Sequence, residues 1–109
     1  ATAGAGGLTE IVLETGGSMW STDTLVGRVA LTVHPWEIAL SREASTDSAV
    51  NHLRAPIGRI TALGNRARVA VGPLVAEVTV SSLERLALRE GDTVVASFKA
   101  TAARLVPLA

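Results

Sequence analysis

The sequence predicts an all-β domain carrying one short helix, and three observations predict it. Apolar and polar residues alternate with period two over most of the chain, which is the periodicity of half-buried strands. Val and Thr, which favour strands, are abundant. Turn signals separate the alternating runs at Gly16-Gly17, Gly64-Asn65, Gly72-Pro73 and Gly91-Asp92. At 109 residues the chain is long enough for one compact core and too short for two ordinary domains. Only Trp20, Trp36 and Phe98 are aromatic, so aliphatic side chains must fill that core.

The run 1–7, Ala-Thr-Ala-Gly-Ala-Gly-Gly, reads as a flexible linker remnant at the cut edge of a longer polypeptide and lacks the apolar stretch of a signal peptide or membrane helix. Residues 8–15 alternate Thr9, Ile11, Leu13 with Glu10, Val12, Glu14, and Gly16-Gly17 turns the chain into 18–21 as a hairpin. From 25 to 33, Leu25, Gly27, Val29, Leu31 and Val33 share one side; Pro35 interrupts, and 37–41 resumes a strand. Residues 41–48 are polar and aperiodic, which divides an N-terminal β segment, 8–47, from a second unit, 48–109. The first is expected to pack on the second, because its apolar positions would otherwise stay exposed.

Five strands follow in the second unit, at 57–63, 66–71, 74–80, 93–98 and 103–106. One helix fits at 81–88: Ser81 followed three residues later by Glu84 makes a capping box, and Gly91 stands beyond it as a stop. A short helix between the third and fourth of five strands matches the order of a small closed β-barrel of the OB kind, here with additional N-terminal strands, although spacing alone does not fix that topology. Val26-Gly27-Arg28-Val29 echoes Ile57-Gly58-Arg59-Ile60, hinting at a repeat.

Net charge is zero but unevenly spread. Residues 1–45 carry two arginines against five acidic residues, and residues 46–109 carry seven arginines and Lys99 against five, so an anion is met by the second half. The chain lacks the basic stripe and stacking aromatics that single-stranded nucleic acid requires. Without cysteine there is neither a disulfide scaffold nor a thiolate metal site. No Gly-rich phosphate loop ending in Lys-Ser or Lys-Thr is present, and His34 and His52 sit in no metal or triad spacing, so the chain reads as non-enzymatic, with no catalytic or metal-binding residues and no cofactor.

Two short segments could hold a small oxyanion. In 93–101, Lys99, the only lysine, shares a strand face with Ser97 and Val95 while Phe98 points the other way. Thr79 leaves the apolar side just before the helix, whose first turn offers uncommitted N–H groups. Hydroxyls, N–H groups and one ammonium are what a tetrahedral oxyanion needs, although Ser81 is equally explained as a cap and Thr79 by its strand propensity.

Taken in order, Ser48-Ala49-Val50-Asn51-His52-Leu53, Ile57-Gly58-Arg59-Ile60, Leu74-Val75-Ala76-Glu77-Val78-Thr79, Gly91-Asp92 and Ser97-Phe98-Lys99-Ala100-Thr101 resemble the TOBE or Mop (molybdenum-pterin-binding-like) domain. More narrowly, they are similar to the C-terminal regulatory region of the ATP-binding subunit of molybdate ABC transporters. His34-Pro35-Trp36-Glu37-Ile38-Ala39-Leu40 resembles the stretch that precedes the repeat in such ATPases. The resemblance implies an OB-like barrel and a parent polypeptide with an N-terminal nucleotide-binding domain. It also implies a cytoplasmic place at the inner membrane face through the transporter permease, and homodimers that bind molybdate or tungstate between units. Position by position it implies oxyanion-binding roles for Ser48, Thr79, Ser82, Lys99 and Thr101. Val50 stands where single-unit Mop proteins have arginine, which removes a cation from the site. A dimerisation or spacing module that keeps the fold without the ligand is the alternative, and an oligonucleotide binder is disfavoured by charge and composition.

Overall fold

The computed structural model describes residues 2–3, 8–13, 17–43 and 51–108. Along the chain run β1 (Thr2–Ala3), β2 (Thr9–Val12), β3 (Ser18–Ser21), β4 (Val29–Thr32), a 3-10 turn (Pro35–Glu37), β5 (Ala39–Ser41), β6 (Asn51–Leu63), β7 (Arg66–Val71), β8 (Leu74–Thr79), α1 (Val80–Leu86), β9 (Thr93–Phe98) and β10 (Arg104–Pro107). They form sheets ordered β1-β2-β3, β10-β4 and β5-β9-β6-β7-β8, with every pair antiparallel.

The largest sheet curls because β6 serves two neighbours. Its first six residues pair with β9, from Asn51↔Phe98 to Pro56↔Thr93. From Ile57 onward it pairs with β7, through a bulge between Ile57 and Arg59. Pro56 lies at the changeover, where a strand tolerates a residue without an N–H, and the bulge supplies the bend. The curl brings the two edges of the sheet together, so that Leu40 of β5 and Val78 of β8 line one groove. Alternation alone places this strand at 57–63; its six earlier residues alternate buried Asn51 and half-buried Leu53 and Ala55 with exposed His52, Arg54 and Pro56, a pattern that the proline disguises.

Leu63 faces Arg66 and Val71 faces Leu74, so both hairpins close through two-residue loops. Gly64 (φ 63°) and Gly72 (φ 56°) occupy the left-handed positions that such loops need. The core inside the curl is built from Ile57, Val69, Val71, Ala76, Val94, Ala96 and Phe98, joined by Met19 and Ile38 from the N-terminal segment. That segment is also tied by ladders: β5 pairs with β9 and β4 with β10.

Several local expectations are corrected. Thr2 and Ala3, within the run read as a linker, pair with β2 as a short edge strand. Only Val29–Thr32 of the 25–33 run is strand. Pro35 starts a 3-10 turn through Glu37, leaving β5 to begin at Ala39, since proline is well placed in a first turn. The helix spans Val80–Leu86, not 81–88, and its N-cap is Thr79, not Ser81. Thr79 Oγ1 accepts the Ser82 N–H at 3.1 Å and donates to Ser82 Oγ at 2.9 Å, so the Thr79 hydroxyl makes both bonds of the cap in place of the Ser81 and Glu84 pair expected from sequence. Ala87 (φ 53°, ψ 42°), not Gly91, ends the helix. Strand β9 has both faces buried except at Thr93: it lies between β5 and β6, the ring of His52 reaches Ser97 Oγ at 2.9 Å, and the strand ends at Phe98, so Lys99 lies beyond it and not on the strand face that the sequence predicts it to share with Ser97 and Val95. Of the echoing segments, one leads into β4 and the other forms the β6 bulge, so they are not structural equivalents.

Candidate oxyanion site

Lys99 and Thr101 sit on the tight connection between β9 and β10. The Ala102 N–H bonds to the Lys99 carbonyl (3.0 Å) and the Ala103 N–H to the Ala100 carbonyl (3.3 Å). Ala100, Ala102 and Ala103 are buried, whereas Lys99 and Thr101 are exposed. The turn therefore pins its small residues inward and presents an ammonium and a hydroxyl outward. Among the described residues Lys99 makes no ion pair, so its charge is available to an anion.

The turn is held from the N-terminal segment. The Thr22 N–H donates to the Ala100 carbonyl (3.2 Å), the Ser21 hydroxyl to the Ala103 carbonyl (2.6 Å), and the Leu105 N–H to Asp23 Oδ2 (3.1 Å). Next to Phe98 across the ladder, Asn51 is 1% exposed. Its amide pairs with Trp20 as a strand would, accepting the Trp20 N–H at 2.6 Å and donating to the Trp20 carbonyl at 2.8 Å. Sequence reasoning missed Ser21, Asp23 and Asn51. For Asn51 a signal existed, since a polar residue in phase with Leu53 and Ala55 must find partners when the strand buries that face.

Thr79 and Ser82 lie elsewhere. They line a groove of about 290 Å³ with Trp36, Arg66, Glu77 and Val78, to which Lys99 and Thr101 do not contribute. Trp36 is 61% exposed and stacks on His34 with ring centroids 4.5 Å apart. Arg66 and Arg68 both reach Glu77, at 3.0 and 3.4 Å, so two guanidiniums share one carboxylate, and of the two Arg66 lines the groove. The Thr79 hydroxyl is committed to the cap, and Ser82 retains only its hydroxyl proton for another acceptor. The structure thus places Lys99 and Thr101 on one turn and Thr79 and Ser82 at one helix cap, and the groove that the second pair lines does not include the first. Ser48, and Val50 beside it, lie outside the described residues. Among the described residues no cluster of three or more His, Asp and Glu could hold a metal ion, and no helix is long and apolar enough to cross a membrane.

The family model of the TOBE domain matches residues 47–105, more than half of the chain. The chain belongs to the TOBE domain family. Two relatives align with it. The sulfate/thiosulfate import ATP-binding protein CysA of Mycolicibacterium paratuberculosis is 39% identical over 64 residues, covering 53% of this chain and 18% of the relative. The molybdate/tungstate import ATP-binding protein WtpC of Pyrococcus horikoshii is 35% identical over 85 residues, covering 74% of this chain and 25% of the relative. The TOBE chain thus spans a quarter or less of the length of these relatives. Among solved structures, the cytoplasmic molybdate-binding protein ModG with molybdate bound matches with a TM-score of 0.81 at 21% identity, over 92% of this chain and 84% of that one. At that identity the likeness is one of fold, and it covers the N-terminal strands together with the TOBE segment.

Proposed function

We propose that this TOBE domain is the regulatory, oxyanion-binding part of an ABC transporter ATP-binding subunit. It would act in the cytoplasm beside the nucleotide-binding domain of the same polypeptide, and through it on the membrane permease. The observation that carries this reading is the 99–101 turn, an exposed cation and hydroxyl on a buried, hydrogen-bonded base. The relatives narrow the ligand class, since one is named for sulfate and thiosulfate and the other for molybdate and tungstate. Molybdate or tungstate is favoured here because the match to the second relative covers more of the chain. A homodimer, with each copy completing the other's site, fits a turn that offers one ammonium and one hydroxyl against a dianion.

Calorimetric titration with molybdate, and in parallel with sulfate, tests the reading. Lys99→Ala is expected to lower molybdate affinity by about 1.5–3 kcal/mol, the range of a hydrogen bond to a charged group, with little change in folding stability. Failure of both anions to bind the unaltered protein would leave the second reading, a dimerisation and spacing module. That reading is favoured by one observation: Thr79 and Ser82 already satisfy each other at the helix cap.

A further inference from the structure

We propose that residues 21–23 are the positioning element of the 99–101 turn, so that closing this latch and binding an oxyanion at the turn form one coupled equilibrium; the inference rests on the oxyanion reading above. Three consecutive residues reach across the chain to two points of the β9–β10 connection and one at the start of β10. Thr22 bonds to Ala100, Ser21 to Ala103 and Asp23 to Leu105. Ser21 is fully buried, and its Oγ also accepts the Asp23 N–H at 3.0 Å, so one hydroxyl bridges the latch and the turn. Asp23 reinforces the connection with an ion pair to Arg104 at 3.5 Å, and the Thr9 hydroxyl donates to the Asp23 carbonyl at 2.7 Å, which ties the latch to β2.

None of the three residues suits the role of ligand. Ser21 is inaccessible and the Asp23 carboxylate would repel an anion. Their effect is exerted through the backbone of a turn whose internal bonds number two. With Ala100, Ala102 and Ala103 held inward, Lys99 and Thr101 project outward together. Released from the latch, the turn samples other conformations, and the apparent affinity falls in proportion to the fraction still competent. Reciprocity then requires an oxyanion at the turn to tighten the latch.

The test compares molybdate binding by the unaltered protein, Asp23→Ala, Asp23→Asn and Ser21→Ala, with folding verified by circular dichroism. Asp23→Ala should bind about tenfold more weakly. Asp23→Asn, which keeps an oxygen for the Leu105 N–H, should stay within about threefold of the unaltered protein. Saturating molybdate should slow hydrogen exchange at the Thr22 and Leu105 amides more than at the amides of the β7–β8 ladder, which report only the general stabilisation by a bound ligand; this readout survives if the variants fail to fold. Tight binding by a folded Asp23→Ala, or exchange at both amides slowed no more than in that ladder in a protein that does bind, overturns the latch while leaving the oxyanion reading intact. No binding by the unaltered protein overturns both.

Discussion

Ala87 offers a stabilising substitution. It closes α1 in the left-handed conformation (φ 53°, ψ 42°). Its N–H bonds to the Glu84 carbonyl and the Leu88 N–H to the Leu83 carbonyl, each at 3.1 Å. This is a Schellman ending, in which glycine is the usual occupant of Ala87's position. A residue with a Cβ gives up about 1–2 kcal/mol there. Glycine escapes that cost but loses about 0.4–1 kcal/mol through its freer unfolded chain. The Ala87 side chain is exposed and contributes no core packing, and the Arg42 contact is to the backbone carbonyl, so both survive the change. Ala87→Gly is therefore expected to stabilise the domain by about 0.5–1 kcal/mol, raising Tm by about 2–5 °C. Differential scanning calorimetry with a urea titration measures both. A lower Tm, or an unchanged one with an unchanged m-value, would refute the assignment of strain to this position.

Asn51→Ala should cost about 2–4 kcal/mol in chemical denaturation, because it strands the Trp20 N–H and carbonyl at the junction of two sheets; a loss below about 1 kcal/mol would mean that water replaces the amide. Arg42→Ala removes donors to the Leu86 and Ala87 carbonyls (3.0 and 2.7 Å) and an ion pair to Asp92, but its half-exposed side chain limits the expected loss to about 1 kcal/mol, read from the shift in urea midpoint. Sedimentation at several concentrations should show a dimer that molybdate tightens, whereas a strict monomer in both conditions would reject the proposed assembly.

How much of this was legible in the sequence depended on the range of the forces involved. The two-residue hairpins were readable because Gly64 and Gly72 perform a local task. The helix is legible, but its N-cap lies two residues earlier than expected, because Thr79-x-x-Ser82 and Ser81-x-x-Glu84 offer overlapping caps. What distinguishes them is distant: the Val80 N–H bonds to the Asn65 carbonyl at 2.9 Å, fixing the first helical residue against the β6–β7 turn. The same overlap obscured the site, since a capping hydroxyl and a ligand hydroxyl are the same chemical group. Lys99 stood out because it is the only lysine. Ser21, Asp23, Asn51 and Arg42 did not, because each works on a partner at least 31 residues away and nothing in its immediate neighbours announces it.

The ladders that hold the N-terminal segment also set a timetable. Ser21 waits for Ala103, 82 residues later, and β4 waits for β10. During synthesis from the N-terminus, Met19 and Ile38 emerge before most of their core cluster, which is completed only when β9 and Ala103 beyond it have been made. Such long closures slow folding relative to a helical chain of this size. They also leave strand edges open for the interval, in which a nascent chain is most prone to pair with the wrong neighbour. Folding of this domain should therefore respond to translation speed and chaperone supply more than its small size would suggest.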